Sequence, residues 1–339
     1  MGKRKVIDIR RVYRFFSLIL ILLMVSCSND TAQENENTGS KAILNSEPVT
    51  FVHNKHEFKV VYYFAEFLNY IEKAEQEPGN LDELYIESVL NPFSKDVFGE
   101  YYGETLSSNW GLGTPTNTEI LKRYNEALLE DQDKINSLIV EALKKSVNEL
   151  PPGTDKTVYV FPANPKNASV MKWIKGVSGL TWNKDFFLIQ IAPSFLNEDM
   201  LKLAVAHEYH HSVLFEDKDN YNNTTVLGEV LLEGRADKFS RILYPEIEPP
   251  WSHFSPSQEE ATWNLLNENI DSTDYSIIDD LFNGVRSKGI PDRSNYKIGY
   301  AIMTNFIQKN PDITILEWSK MSPIEILEKS NYEEKKFDK

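Results

Sequence analysis

His207 and His211 stand four residues apart in the run His207-Glu208-Tyr209-His210-His211, which on a helix puts two imidazoles on one face, a turn apart, within reach of a single metal ion. Glu208, beside the first imidazole, can then face a water at that ion rather than the ion itself. The chemistry this predicts is hydrolysis. Catalytic zinc takes three protein ligands and keeps one position for a water whose pKa falls to about 7. Three of the chain's six histidines fall in these five residues, between the apolar runs Leu203-Ala204-Val205-Ala206 and Val213-Leu214-Phe215. Such flanks bury a helix, and buried imidazole and carboxyl groups need the partners that a metal site provides.

The third ligand is expected on a second helix, where Glu233-Gly234-Arg235-Ala236-Asp237 reads E-x-x-x-D. Glu233 completes a two-histidine, one-carboxylate set for Zn2+. Asp237, one turn further on, can accept the free ring N–H of a ligand histidine and fix its tautomer. Glu229, one turn before Glu233, is the competing third ligand, although choosing it leaves Asp237 without a role; its other expected place is a solvated face beside Arg235 or Lys202. His210 points off the His207/His211 line and is expected behind the ligands or at the surface.

Two helices must position these groups. The first is expected to start between Ser194 and Asn197, with Asn197 as cap and Glu198 and Asp199 in its first turn, and to run to about Glu216. The second is capped near Thr224 or Thr225, carries Val226, Leu227, Val230, Leu231 and Leu232 inward and ends by Pro245. Ahead of them the texture is β. Thr157 to Phe161 alternates, Phe186 to Ile191 is a β-branched and aromatic run, and Gly176 to Trp182 predicts a strand with close backbone approach at its glycines. The fold class expected is α+β, mostly helical, with a small antiparallel sheet packed on the HEYHH helix, whose edge strand could take a peptide through main-chain hydrogen bonds.

The amino-terminal half reads as helical. Phe58 to Ala74 carries apolar residues at helical spacing, as do Leu81 to Leu90, Ile120 to Leu129 and Ile135 to Val147. Asn109 to Pro115 is expected to be a loop at the rim of a substrate cleft, and Pro151-Pro152-Gly153 marks a boundary between a helical subdomain, 48–150, and a catalytic domain, 151–339. Towards the carboxyl terminus a helix is expected from Tyr296 to Pro311. Its Tyr296 or Tyr300, or His253 in a proline-rich loop, is the candidate donor to the oxyanion formed when water adds to a peptide carbonyl.

HEYHH, followed by Leu-Leu-Glu-Gly-Arg-Ala-Asp (231–237) and Tyr-Lys-Ile-Gly-Tyr-Ala-Ile (296–302), resembles the YjaZ-like predicted zinc-dependent proteases of bacilli, from about Pro151 to the carboxyl terminus. The resemblance implies a zincin-like metallopeptidase domain with a gluzincin-type site. In it His207, His211 and Glu233 are the zinc ligands and Glu208 the catalytic acid/base, acting on a peptide or protein substrate.

The amino terminus sets an address. Lys3, Arg4, Lys5, Arg10, Arg11 and Arg14 precede an apolar core from Phe15 to Val25, too short to span a bilayer, and Leu23-Met24-Val25-Ser26-Cys27 resembles a lipobox with Met24 where Leu is usual. Residues 1–27 are thus expected to be a lipoprotein signal peptide, with Cys27 acylated, palmitate included. Residues 28–47 form a polar tether, and the protein is held by its lipid at the extracytoplasmic face of the cell membrane. Cys27 is the chain's one cysteine, so disulfides contribute nothing. Cleavage before it removes six Lys/Arg and one Asp, taking the formal charge from −15 to −20 and arguing against nucleic acid as a partner. Two other readings share these residues: an inert zinc- or peptide-binding surface lipoprotein, against which the presence of Glu208 speaks, and a zinc hydrolase of non-peptide amides. The sequence sets no oligomeric state.

Overall fold

The computed structural model describes residues 47–218 and 222–334; residues 1–46, with the signal peptide, Cys27 and nearly all of the tether, lie outside the described residues. Strand β1 (Val49–His53) pairs antiparallel with β2 (His56–Tyr62), in which Phe58, Val60 and Tyr62 alternate inward. Helix α1 (Phe64–Gln76) follows at once. The stretch from Phe58 to Ala74, expected as one helix, is therefore a strand and a helix in succession. Its apolar residues follow period 2 up to Tyr62 and helical spacing only from Phe64 on.

Helical segments between Leu81 and Ser107 lead to α2 (Thr118–Glu130) and α3 (Gln132–Glu149), close to the expected bounds, with one three-residue turn, Trp110–Leu112, inside the expected loop. Next come β3 (Lys156–Pro162), β4 (Val177–Thr181) and β5 (Phe186–Ile191), which complete a five-stranded sheet of order β1-β2-β3-β5-β4. The sheet is mixed, not antiparallel as expected: β2, β3 and β5 run parallel, and the two edge strands run against their neighbours. Parallel neighbours need long crossovers, and the helical stretch between β2 and β3 supplies one.

The sheet separates two cores. Val158 and Val160 of β3 and Phe187 and Ile189 of β5 face one of them, together with α3 and the helices that follow. Tyr159, Phe161, Phe186 and Leu188 point the other way into an aromatic cluster with Phe67, Phe93 and Trp182. On the first face lie α4 (Glu198–Leu214), α5 (Val226–Leu243) and α6 (Ser294–Lys309). The arrangement is α+β, mostly helical. Among the described residues no helix is long and apolar enough to cross a membrane.

Candidate metal centre

Caps set the starts of both site helices where expected. The Asn197 side chain accepts a hydrogen bond from Met200 N–H at 2.9 Å at the head of α4, and Thr225 accepts one from Gly228 N–H at 3.0 Å at the head of α5. Helix α4 is buried on every side, with Leu201, Leu203, Val205, Ala206 and Tyr209 all 1% exposed or less. Burying such side chains contributes about 1.5–3 kcal/mol for each large one, which offsets the desolvation of the polar groups carried on the same helix.

Those polar groups converge. His207 Nε2 lies 3.0 Å from His211 Nε2 and 3.2 Å from Glu233 Oε2, and His211 Nε2 lies 3.4 Å from the same carboxylate oxygen. A tetrahedral ion with bonds of about 2.0–2.1 Å holds its ligand atoms roughly 3.3 Å apart, so this triangle has the size of three sides of a zinc shell. The charges agree with that fit. Burial pushes the Glu233 carboxyl up, but the His211 charge and hydrogen bonds from both imidazoles outweigh it and leave the group well below the usual carboxylate range, ionised as a ligand must be. Burial works against a charged His207, yet Glu233, Glu208 and Asp237 together raise its pKa. Two imidazoles thus sit among two buried carboxyl groups, Glu208 and Asp237, and the partly buried Glu233, surroundings that favour a cation.

Glu208 is 7% exposed, and its Oε2 accepts a hydrogen bond from the Thr181 hydroxyl at 2.6 Å. Thr181 ends edge strand β4, which packs on α4. The glycine approach expected in this strand is made by Gly179, where a Cβ would overlap the Glu208 side chain. Burial raises the Glu208 pKa against the opposing pull of His211, His207 and the Thr181 hydrogen bond, which suits a group that must take and return a proton.

Of the three candidate oxyanion donors, Tyr296 alone lines the cleft with the histidines, its ring stacked on His207 at 5.9 Å. Burial first, then the neighbouring Glu233 charge, holds its hydroxyl well above the ordinary tyrosine value, so it stays a donor. Tyr300 instead faces Arg241 and Lys238, with the guanidinium 3.8 Å over its ring, and His253 is exposed and outside the cleft lining. The placing of Tyr296 follows from a helix crossing. A Cβ on Gly234 of α5 would overlap the Gly299 backbone of α6, and one on Gly299 would overlap Val230 O, so the two helices touch main chain to main chain. Tyr296 is one turn from Gly299, and Glu233 is next to Gly234.

Other expectations meet a different arrangement. Asp237 is buried close enough to His207 for their charges to act on each other, but it accepts no hydrogen bond from either ligand ring. Its Oδ2 faces Arg241 at 3.6 Å and its Oδ1 has no partner. His210 is not at the surface: it is 0% exposed, stacked on Trp318 and tilted against Phe239, and burial, with the neighbouring His211 charge, holds its pKa well below the ordinary value. Arg235, expected on a solvated face, is buried and donates to the carbonyls of Leu231, Ser319 and Met321, while Lys202 pairs with Glu141 and Asp199. Glu229 lines the cleft outside the group of three that could hold a metal. Asn109 and Trp110, from the loop read as a rim, also line it. Thr181, Trp251, Arg293 and Asn295 line it too, with no sequence signal beyond the β texture at Thr181.

A family model described as predicted Zn-dependent protease (DUF2268) matches residues 135–328, more than half of the chain. The chain belongs to this family. A similar curated protein is the uncharacterised YjfC of Bacillus subtilis (strain 168), 26% identical over 173 residues, which are 48% of this chain and 56% of that protein. The chain thus spans a little over half the length of that relative. No solved structure matches it.

Proposed function

We propose that the chain is a zinc-dependent peptidase with a zincin-like catalytic domain, exported and held at the membrane by a lipid on Cys27. The observation that carries the catalytic part is the triangle of His207 Nε2, His211 Nε2 and Glu233 Oε2, closed to 3.0–3.4 Å beside a buried Glu208 in an open cleft. The address rests on the basic, apolar and cysteine-ended pattern of residues 3–27.

His207, His211 and Glu233 would hold the zinc. When bound, the ion supplies Lewis acidity, polarising a peptide carbonyl and making water easier to deprotonate. Glu208 takes the water proton and passes it to the leaving amine, helped by the burial that keeps its carboxylate basic. The Thr181 hydroxyl fixes where that carboxylate waits. Tyr296 donates its O–H to the oxyanion of the tetrahedral adduct. Strand β4, Trp110 and Trp251 form walls of the cleft that would receive the peptide.

Incubating the purified chain with a peptide library is expected to yield discrete cleavages that a zinc chelator abolishes and stoichiometric zinc restores. Cleavage that survives exhaustive chelation, or none with zinc fully loaded, counts against a zinc peptidase. Export is checked separately: replacing Cys27 by Ser is expected to release the protein from the membrane fraction.

A further inference from the structure

The start of α6 carries polar chemistry that the hydrolytic reading leaves unused. Arg293 precedes the helix at φ 56°, a left-handed conformation that residues other than glycine adopt rarely and that clusters at functional sites. Its N–H is tied to Phe282 O at 2.7 Å, and its guanidinium lies 3.9 Å over the Phe282 ring and 5.6 Å from the Tyr296 ring centre. Among the described residues it is the one Lys or Arg that lines the cleft, and it forms no ion pair there.

Asn295, two residues on, gives a second and independent sign. It is 5% exposed, it lines the same cleft, and its Oδ1 has no hydrogen-bond partner. A buried carboxamide left open is costly unless a ligand meets it, and rotation about its last torsion exchanges the oxygen for an N–H2 donor. Helix α6 also begins without a side-chain cap and has no acid in its first turn, so nothing on it opposes the positive end of its dipole.

We infer that Arg293 and Asn295 form a subsite for a carboxylate of the substrate, either the free carboxyl terminus of a peptide or an Asp or Glu side chain. A guanidinium held over an aromatic ring by its face can keep its N–H edge for a planar anion. Apart from Arg293 and the three converging ligand residues, the acidic or basic side chains lining the cleft among the described residues are Glu208 and Glu229, which disfavour an anionic group placed beside them. Arg293 therefore decides where along the cleft a substrate carboxylate is admitted. The inference deepens the peptidase reading and rests on it for the bond that is cut.

The test compares kcat/KM of the zinc-loaded chain on one cleavable peptide made as free acid and as carboxyl-terminal amide, and on a pair with internal Glu or Gln. The expected result is a preference of about 10–100-fold for the carboxylate in one pair, which identifies its source, falling to near one in Arg293→Gln and partly kept in Arg293→Lys. No preference in the parent chain, or one undiminished in Arg293→Gln, overturns the subsite. Calorimetric binding of the same peptides to both proteins separates the two readings. If no peptide is cleaved but the free acid binds tighter and loses that advantage in Arg293→Gln, the peptidase reading falls and the subsite stands. Cleavage without discrimination does the reverse. Thermal unfolding of both variants identifies any loss that comes from misfolding.

Discussion

Glu208→Gln is expected to keep the metal site loaded and to lower kcat/KM for any cleaved peptide by about 10²–10⁴-fold, the range that general acid–base catalysis supplies. Glutamine has the same shape and can still accept the Thr181 hydrogen bond that Glu208 Oε2 accepts at 2.6 Å. It also fits against Gly179, where there is no room for a larger neighbour. What it cannot do is take a proton from water at neutral pH. Because the three converging ligand atoms belong to other residues, the variant separates proton transfer from metal binding. Wild-type turnover in Glu208→Gln, on every peptide the parent cleaves, would remove Glu208 from the mechanism.

Gly299→Ala is expected to cost about 1–3 kcal/mol of stability and to depress turnover beyond that loss. The added Cβ would overlap Val230 O and stand 2.8 Å from Gly234 Cα, both of them backbone, so the helices must part. Parting them carries Tyr296 away from Glu233 and His207. The unfolding midpoint should fall by roughly 2–4 °C for each kcal/mol lost. Tyr296→Phe is the companion. It leaves the crossing intact and should lower kcat about 10²-fold with KM little changed. A Gly299→Ala protein with the parent's midpoint and kcat contradicts the contact as the device that positions Tyr296.

The parts of this site that were legible in the sequence are those set by spacing along one helix. His207 and His211 are i and i+4, and the Asn197 and Thr225 caps are local too. The partnership of Glu233 with them spans two helices, yet E-x-x-x-D marked it because the motif is itself local. Interactions between elements left no such mark. Strand β2 pairs with β3, nearly a hundred residues on, and no local pattern fixed its direction. Asp237 has the spacing of a histidine partner, but its side chain meets Arg241 instead. His210 and Arg235 look like surface residues by type and are buried against Trp318 and Ser319, a contact that packing alone decides. Gly234 and Gly299 could be read as helix-weakening glycines, and only their mutual approach reveals why each stands where the two helices cross. Arg293 and Asn295 carried no motif at all.

The most direct measurement of the central claim is zinc content per chain, by elemental analysis, in the purified parent protein, Glu208→Gln and Glu233→Ala. About one zinc is expected in the first two and far less in the third, since Glu233 Oε2 sits 3.2–3.4 Å from both imidazole nitrogens and Glu208 is turned to Thr181. A parent chain that takes up no zinc when the metal is supplied, or a Glu233→Ala chain that holds as much as the parent, contradicts a site built from His207, His211 and Glu233.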